Sequence, residues 1–140
     1  MDQSYKRKQG TKMNLFDPSA IINICGEKKI DKLLEGWTLN LAFYELGNAV
    51  WKQVHIHKTI TSDEANTVLS LLTEIFRKLK KPEIEEALEI LKIAIKESLT
   101  YYDASYIHAA IENGLTLVTD DKQLHTISSK YIKTITSDEI

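Results

Sequence analysis

Cysteine occurs once in these 140 residues, at Cys25, so no intramolecular disulfide can form and no cysteine-based zinc centre can assemble. Proline occurs twice, at Pro18 and Pro82, and glycine only five times. That scarcity excludes collagen-like and proline/glycine-rich low-complexity chains. No apolar run approaches the roughly 20 residues that span a bilayer. The N-terminal MDQSYKRKQGTK leads into no apolar segment of the kind a signal peptide needs. There is no glycine-rich phosphate loop and no Gly-x-Ser-x-Gly elbow. An excess of basic charge is missing too. The formal net charge is −2, and Lys6, Arg7, Lys8 and Lys12 against Asp2 leave the rest of the chain more acidic than that. A plain electrostatic nucleic-acid binder would be basic. An acidic centre neutralised by bound cations is not excluded. Together these absences imply a cytoplasmic protein without a membrane segment. The length suffices for one well-buried core and is short for two domains.

What the chain does have is periodicity. Residues 1–12 are polar and aperiodic and read as a disordered tail ahead of a domain over 13–140. Met13 stands directly before the first structured run and reads as an alternative start. Residues 13–16 read as a strand ending in Asp17-Pro18, an N-cap followed by a first-position proline. A helix over 19–25 stopped by Gly26, a short helix over 30–36, a strand over 37–41 and a helix over 44–57 follow. Thr61-Ser62-Asp63-Glu64 opens a helix over 61–80, and Pro82 opens another through Ile84, Leu88, Leu91 and Ile95. Thr100–Asp103 has capping-box spacing, and its helix ends at Asn113-Gly114. A buried strand over 115–119, one helical turn near 124–127 and a last strand over 131–135 complete the pattern. Strands separated by helices predict a three-layer α/β/α sandwich around a parallel sheet.

Four carboxylates stand at the seams of this pattern: Asp17, Glu45, Asp103 and Asp121. Open parallel sheets bind ligands beyond the carboxyl ends of their strands, where the strand order reverses. Asp17 and Asp121 follow strands, and Glu45 and Asp103 occupy first turns of helices, so one sheet edge can collect all four. Two like charges ~4 Å apart repel by about 4 kcal/mol at an effective dielectric of 20. Gathering four therefore requires protonation or a divalent cation. All-oxygen ligands suit Mg²⁺ or Mn²⁺ rather than zinc, and such ions serve phosphate hydrolysis. For each acid taken alone, a helix cap or dipole partner is the competing explanation.

The surrounding residues carry a resemblance. Asp17-Pro18-Ser19-Ala20-Ile21-Ile22, Glu45-Leu46-Gly47-Asn48-Ala49, Thr100-Tyr101-Tyr102-Asp103-Ala104-Ser105-Tyr106 and Leu117-Val118-Thr119-Asp120-Asp121-Lys122-Gln123-Leu124 resemble, in order, the four motifs of the PIN-domain family. The size and helix pattern resemble its VapC-type toxins. The resemblance implies a metal-dependent endoribonuclease acting on single-stranded RNA, with Mg²⁺ or Mn²⁺ bound through Asp17, Glu45, Asp103 and Asp121. It implies a homodimer, inhibited by an antitoxin whose C-terminal segment covers the acidic pocket. A housekeeping RNA-processing nuclease of the same fold, or a catalytically idle RNA-binding or scaffold protein, are the alternatives. Asp121 takes the motif register, and its neighbour Asp120 is a candidate for a water-mediated or supporting role. Ser19 and Thr119 are placed to orient carboxylates, and Asn48, three residues after Glu45, shares its helix face.

Other features compete less well. His55 and His57 are two apart and do not share a helix face, and His108 and His125 lack partners at zinc spacing. Arg77, Lys78, Lys80 and Lys81 read as a charged helix end. A receiver domain would need an acid pair after the first strand, which Asp17-Pro18 does not supply.

Overall fold

The structure is a computed structural model that describes residues 13–83 and 86–140. The expected tail over 1–12, and Ile84 of the expected helix, lie outside the described residues.

Asn14–Phe16 (β1), Thr116–Val118 (β2) and Thr134–Ile135 (β3) form a parallel sheet in the order β1-β2-β3. Leu15 aligns with Leu117, Phe16 with Val118, and Val118 with Ile135. Two single-residue parallel bridges widen the sheet beyond β1: Leu15 to Trp37, and Trp37 to Lys80. Phe16 N–H donates to the Trp37 carbonyl at 2.8 Å, and Thr38 N–H to the Lys80 carbonyl at 2.9 Å. The lateral order is therefore Lys80, Trp37, β1, β2, β3. From β1 the chain builds outward on one side, then crosses over to build on the other. The junction of β1 and β2 is a topological switch point, the place where such sheets carry their sites.

Successive strand residues point to opposite faces, and each face has its own core. Phe16 and Val118 pack with Ile21, Leu46 and Leu72 on one side. Leu15 and Leu117 pack with Tyr106, Ile107 and Leu124 on the other. The first side is covered by α1 (Pro18–Gly26), α2 (Ala42–His55) and α3 (Ser62–Lys78); the second by α5 (Tyr101–Asn113) and α6 (Lys122–Ser128), with α4 (Ala87–Glu97) packed on α5. This is the expected α/β/α sandwich.

Local chemistry sets the helix ends. Thr61 and Glu64 form a reciprocal capping box at the start of α3. The Thr100 hydroxyl accepts from Asp103 N–H at the start of α5, and Gly114 ends that helix at φ 63°, a left-handed conformation that glycine adopts without penalty.

Four expectations need correction. The strand expected over 37–41 reduces to the bridge at Trp37, because Asn40 and Leu41 already turn into α2. The last strand spans two residues rather than five, since Tyr131 and Ile132 close the turn after α6 with N–H bonds to the Ser128 carbonyl. Pro82 does not open a helix: Lys80 stays extended to pair with Trp37, and α4 begins only at Ala87. The apolar stripe Leu88, Leu91 and Ile95 faces outward, Leu88 and Ile95 at 73% and 71% exposure, while Ile90 and Ala94 face the core. The basic run also divides. Lys81 turns inward, donating to the Phe76 and Leu79 carbonyls and lying over the Phe76 ring, so it closes the C-terminus of α3 instead of standing in solvent.

Candidate metal and nuclease centre

Asp17 leaves β1 at the switch point, its N–H donating to the Val118 carbonyl at 3.2 Å. Its carboxylate caps α1, accepting from Ala20 N–H at 3.0 Å and the Ser19 hydroxyl at 2.7 Å; the Thr119 hydroxyl donates to the second oxygen. The side chain is 4% exposed. Burial pushes its pKa up to about 6, against the opposing pull of those three donors, and Asp120 adds to the rise.

Glu45 lies in the first turn of α2 and accepts from the Tyr106 hydroxyl at 2.7 Å. Burial raises its pKa, Tyr106 opposes the rise, and the negative charges of Asp103 and Asp17 reinforce it. Asp103, in the first turn of α5, is raised by burial and by Asp121. Asp121 caps α6, accepting from Leu124 N–H at 2.8 Å, and its own N–H donates to the Thr119 hydroxyl at 3.1 Å. Glu45 and Asp103 thus each feel other members of the set, and all four acids line one open cleft of about 470 Å³. A hollow of similar size around Leu39, Lys81 and Glu83 contains none of them.

The adjacent pair Asp120-Asp121 divides. Asp120 accepts from Asn23 at 2.7 Å and from Ser137 N–H at 2.8 Å, so its carboxylate ties α1 to the C-terminal turn and does not line the cleft. Burial acts to raise its pKa, but the Ser137 and Asn23 donors outweigh it and hold it below the usual range. Its backbone N–H does serve the site, donating to the Ser19 hydroxyl at 3.0 Å. Ser19 and Thr119 therefore brace Asp17 and the chain after β2 together. Asn48 lines the cleft and makes no hydrogen bond to the four acids among the described residues.

Four residues of the site escaped the sequence reading. Tyr106, buried and 61 residues from Glu45, was visible only as a motif position. Tyr44, Lys52 and Tyr102 also line the cleft. Lys52 had a signal: it follows Glu45 by seven residues and Asn48 by four, which puts all three on one helical face.

The donor set is oxygen only, without cysteine or histidine, and none of the four acids is in an ion pair among the described residues. Three carboxyls held above their ordinary pKa by burial, with neighbouring carboxylates adding to the rise, are what a hard divalent cation relieves. A different grouping, Glu86, His108 and Glu112, brings ligand atoms within 4.8 Å of one another farther along α5, with His108 Nε2 3.0 Å from Glu86. It belongs to no motif named above.

The family model described as the PIN domain matches residues 16–130. "Exonuclease VapC9" of Pyrobaculum aerophilum is 36% identical over 86 residues, covering 61% of this chain and 62% of that protein. The match thus spans less than two thirds of that relative. "Ribonuclease VapC3" of the same organism is 36% identical over 99 residues, 70% of this chain and 75% of that protein. The crystal structure of PAE2754 from Pyrobaculum aerophilum superposes with a TM-score of 0.77 at 28% identity, covering 91% of this chain and 92% of that one.

Proposed function

Starting from the fact that the chain belongs to the PIN-domain family, among its VapC-type members, we propose that it is a divalent-metal-dependent endoribonuclease that hydrolyses single-stranded RNA and serves as the toxin of a toxin–antitoxin pair. The observation that carries this reading is the convergence of Asp17, Glu45, Asp103 and Asp121 on one cleft at the switch point of the sheet, with three of them pushed toward protonation. Asp17, Asp103 and Asp121 would hold Mg²⁺ or Mn²⁺ directly, and Glu45 directly or through water. Such an ion supplies Lewis-acid charge at the phosphate and lowers the pKa of water.

The chain's own residues do the positioning. Ser19, Thr119 and Ala20 N–H fix both oxygens of Asp17, and Tyr106 fixes one oxygen of Glu45. The N-terminal ends of α1, α5 and α6 meet at the cleft, so their dipoles favour negative charge there, from carboxylates or from a phosphate. Lys52 adds a cation at the rim for the RNA backbone. Asp120 acts as a brace through its carboxylate ties and its N–H. The exposed stripe of Leu88, Leu91 and Ile95 on α4 supports a homodimer. No described helix is long and apolar enough to cross a membrane; a cytoplasmic location is proposed with the toxin role.

One relative is named an exonuclease, which gives the endonuclease assignment a rival. Incubating the purified protein with Mn²⁺ and either a linear or a circular single-stranded RNA separates the two. Cleavage of the circle, absent in Asp17→Asn, supports the endonuclease. Digestion of the linear strand alone assigns an exonuclease. Activity that persists in Asp17→Asn removes the cleft from the chemistry.

A further inference from the structure

A second hollow, of about 420 Å³, adjoins the acidic cleft and shares Tyr44 and Asn48 with it as a common wall. Phe43 and Trp51 form its aromatic sides, and Gly47 lies between them on α2. The rings are held in place yet turned outward. Phe43 stands edge-on to Tyr44 at 5.2 Å between centroids, and Trp51 stacks on His55 at 5.1 Å. Even so, Phe43, Tyr44 and Trp51 are 43%, 72% and 50% exposed.

Gly47 supplies an independent observation. It sits inside α2, where glycine weakens a helix relative to alanine. Its φ is not positive, and a Cβ placed on it would meet no atom within 4 Å. Neither backbone conformation nor crowding within the fold calls for glycine. The absent side chain keeps open the floor between Tyr44 and Trp51.

We infer that this hollow is a subsite for one unpaired nucleobase, that of the nucleotide flanking the scissile phosphate. The inference rests on the nuclease reading and deepens it. A strand whose phosphate lies at the acids can send a neighbouring nucleotide across the Tyr44–Asn48 wall. Flat aromatic sides offer stacking to any base, and the Asn48 amide both donates and accepts, as a base edge requires. A base within a duplex cannot enter such a slot without leaving its stack, so the subsite selects single strands. Lys52, one turn beyond Asn48, is placed for the connecting backbone. The Thr73 hydroxyl is already engaged by the Leu69 carbonyl at 2.8 Å, but a purely apolar protein segment would leave the Asn48 amide on the wall without a partner.

Full-length Trp51→Ala, Phe43→Ala and Gly47→Ala test this. With Mn²⁺ and a short mixed-sequence single-stranded RNA, the first two raise KM roughly 5- to 100-fold, the range of one lost stacking contact, and leave kcat within about threefold. Gly47→Ala raises the melting temperature by roughly 2–5 °C while raising KM, a split that a structural role would not produce. In fluorescence anisotropy, an RNA carrying abasic positions beside the target phosphate binds wild type more weakly than the intact strand does, and binds Trp51→Ala no more weakly. Unchanged KM in all three variants, or equal binding of abasic and intact strands by wild type, overturns the subsite. So does weakening of a protein partner's binding alone, which assigns the hollow to that partner. If wild type cleaves no RNA, the nuclease reading fails separately, and the anisotropy comparison still decides the subsite.

Discussion

The molecule gathers acidic side chains in two places, and they behave differently. At the β1–β2 switch point, Asp17, Glu45, Asp103 and Asp121 arrive on four separate helices and share a half-buried cleft, and three of them are pushed above the ordinary carboxylate range. Farther along α5, Glu86 and Glu112 are exposed beside the buried His108, which bonds to Glu86. In the second group the acids are in water, and the buried histidine pairs with Glu86 through Nε2 while its Nδ1 has no partner among the described residues. In the first, burial raises three of the carboxyls, and neighbouring carboxylates reinforce the rise. On the proposed reading, this uncompensated burial, more than the number of acids, is what suits the first group to a cation.

Four experiments break or sharpen that contrast. The largest effect is on cleavage: Asp17→Asn or Asp121→Asn is expected to remove several kcal/mol of barrier lowering, a loss on the order of a hundredfold or more. Glu112→Gln should change the rate less than twofold. Equal losses in both groups would erase the distinction.

The second effect is on stability without metal. The Asp17 pKa lies at about 6 in the fold against the ordinary 3.8 of an aspartate, so the native state holds this proton more tightly than the unfolded chain does. Its contribution favours the fold at low pH and is lost as pH rises from 3.8 through about 6. Asp17→Asn should therefore stabilise the metal-free protein near pH 7 by up to roughly 2–3 kcal/mol, with the difference vanishing near pH 4. Chemical denaturation at the two pH values measures it. Adding Mn²⁺ should stabilise wild type and leave the variant unmoved.

Third, Tyr106→Phe removes the only hydroxyl bonded to Glu45 among the described residues. A loss of about tenfold in kcat is expected, the equivalent of a hydrogen bond to a charged group, with the pH dependence of cleavage displaced upward because Glu45 loses the donor that opposed its raised pKa. Smallest is Asp120→Asn, which weakens the ties to Asn23 and Ser137 and should cost about 1 kcal/mol in stability with cleavage within about threefold, since the Asp120 N–H to Ser19 remains.

Much of this architecture was legible in the residues. Asp17-Pro18, Thr61 with Glu64, Thr100 with Asp103, and Gly114 announce helix ends through chemistry that acts within a few residues, and each stands where expected. The four acids were findable because strand ends and first turns map onto one sheet edge. The missed features depend on partners distant in sequence. Lys80 carries no strand signal and pairs only because Trp37 presents a free edge. With Lys80 in that bridge, Pro82 opens no helix, and α4 begins at Ala87. The outward turn of Leu88, Leu91 and Ile95 is a matter of helix rotation, which periodicity alone leaves open when both faces are apolar. The Tyr106–Glu45 bond joins elements 61 residues apart, and Asp120 is drawn away from the cleft by Asn23 and Ser137, which no local motif couples to it.

Calorimetric titration with Mn²⁺ tests the central claim most directly. Wild type and the Glu86→Gln/Glu112→Gln double variant should bind the ion saturably, and Asp17→Asn and Asp121→Asn should lose that binding. Binding that survives both cleft substitutions, or disappears in the Glu86→Gln/Glu112→Gln variant, would contradict the assignment of the switch-point acids as the metal centre.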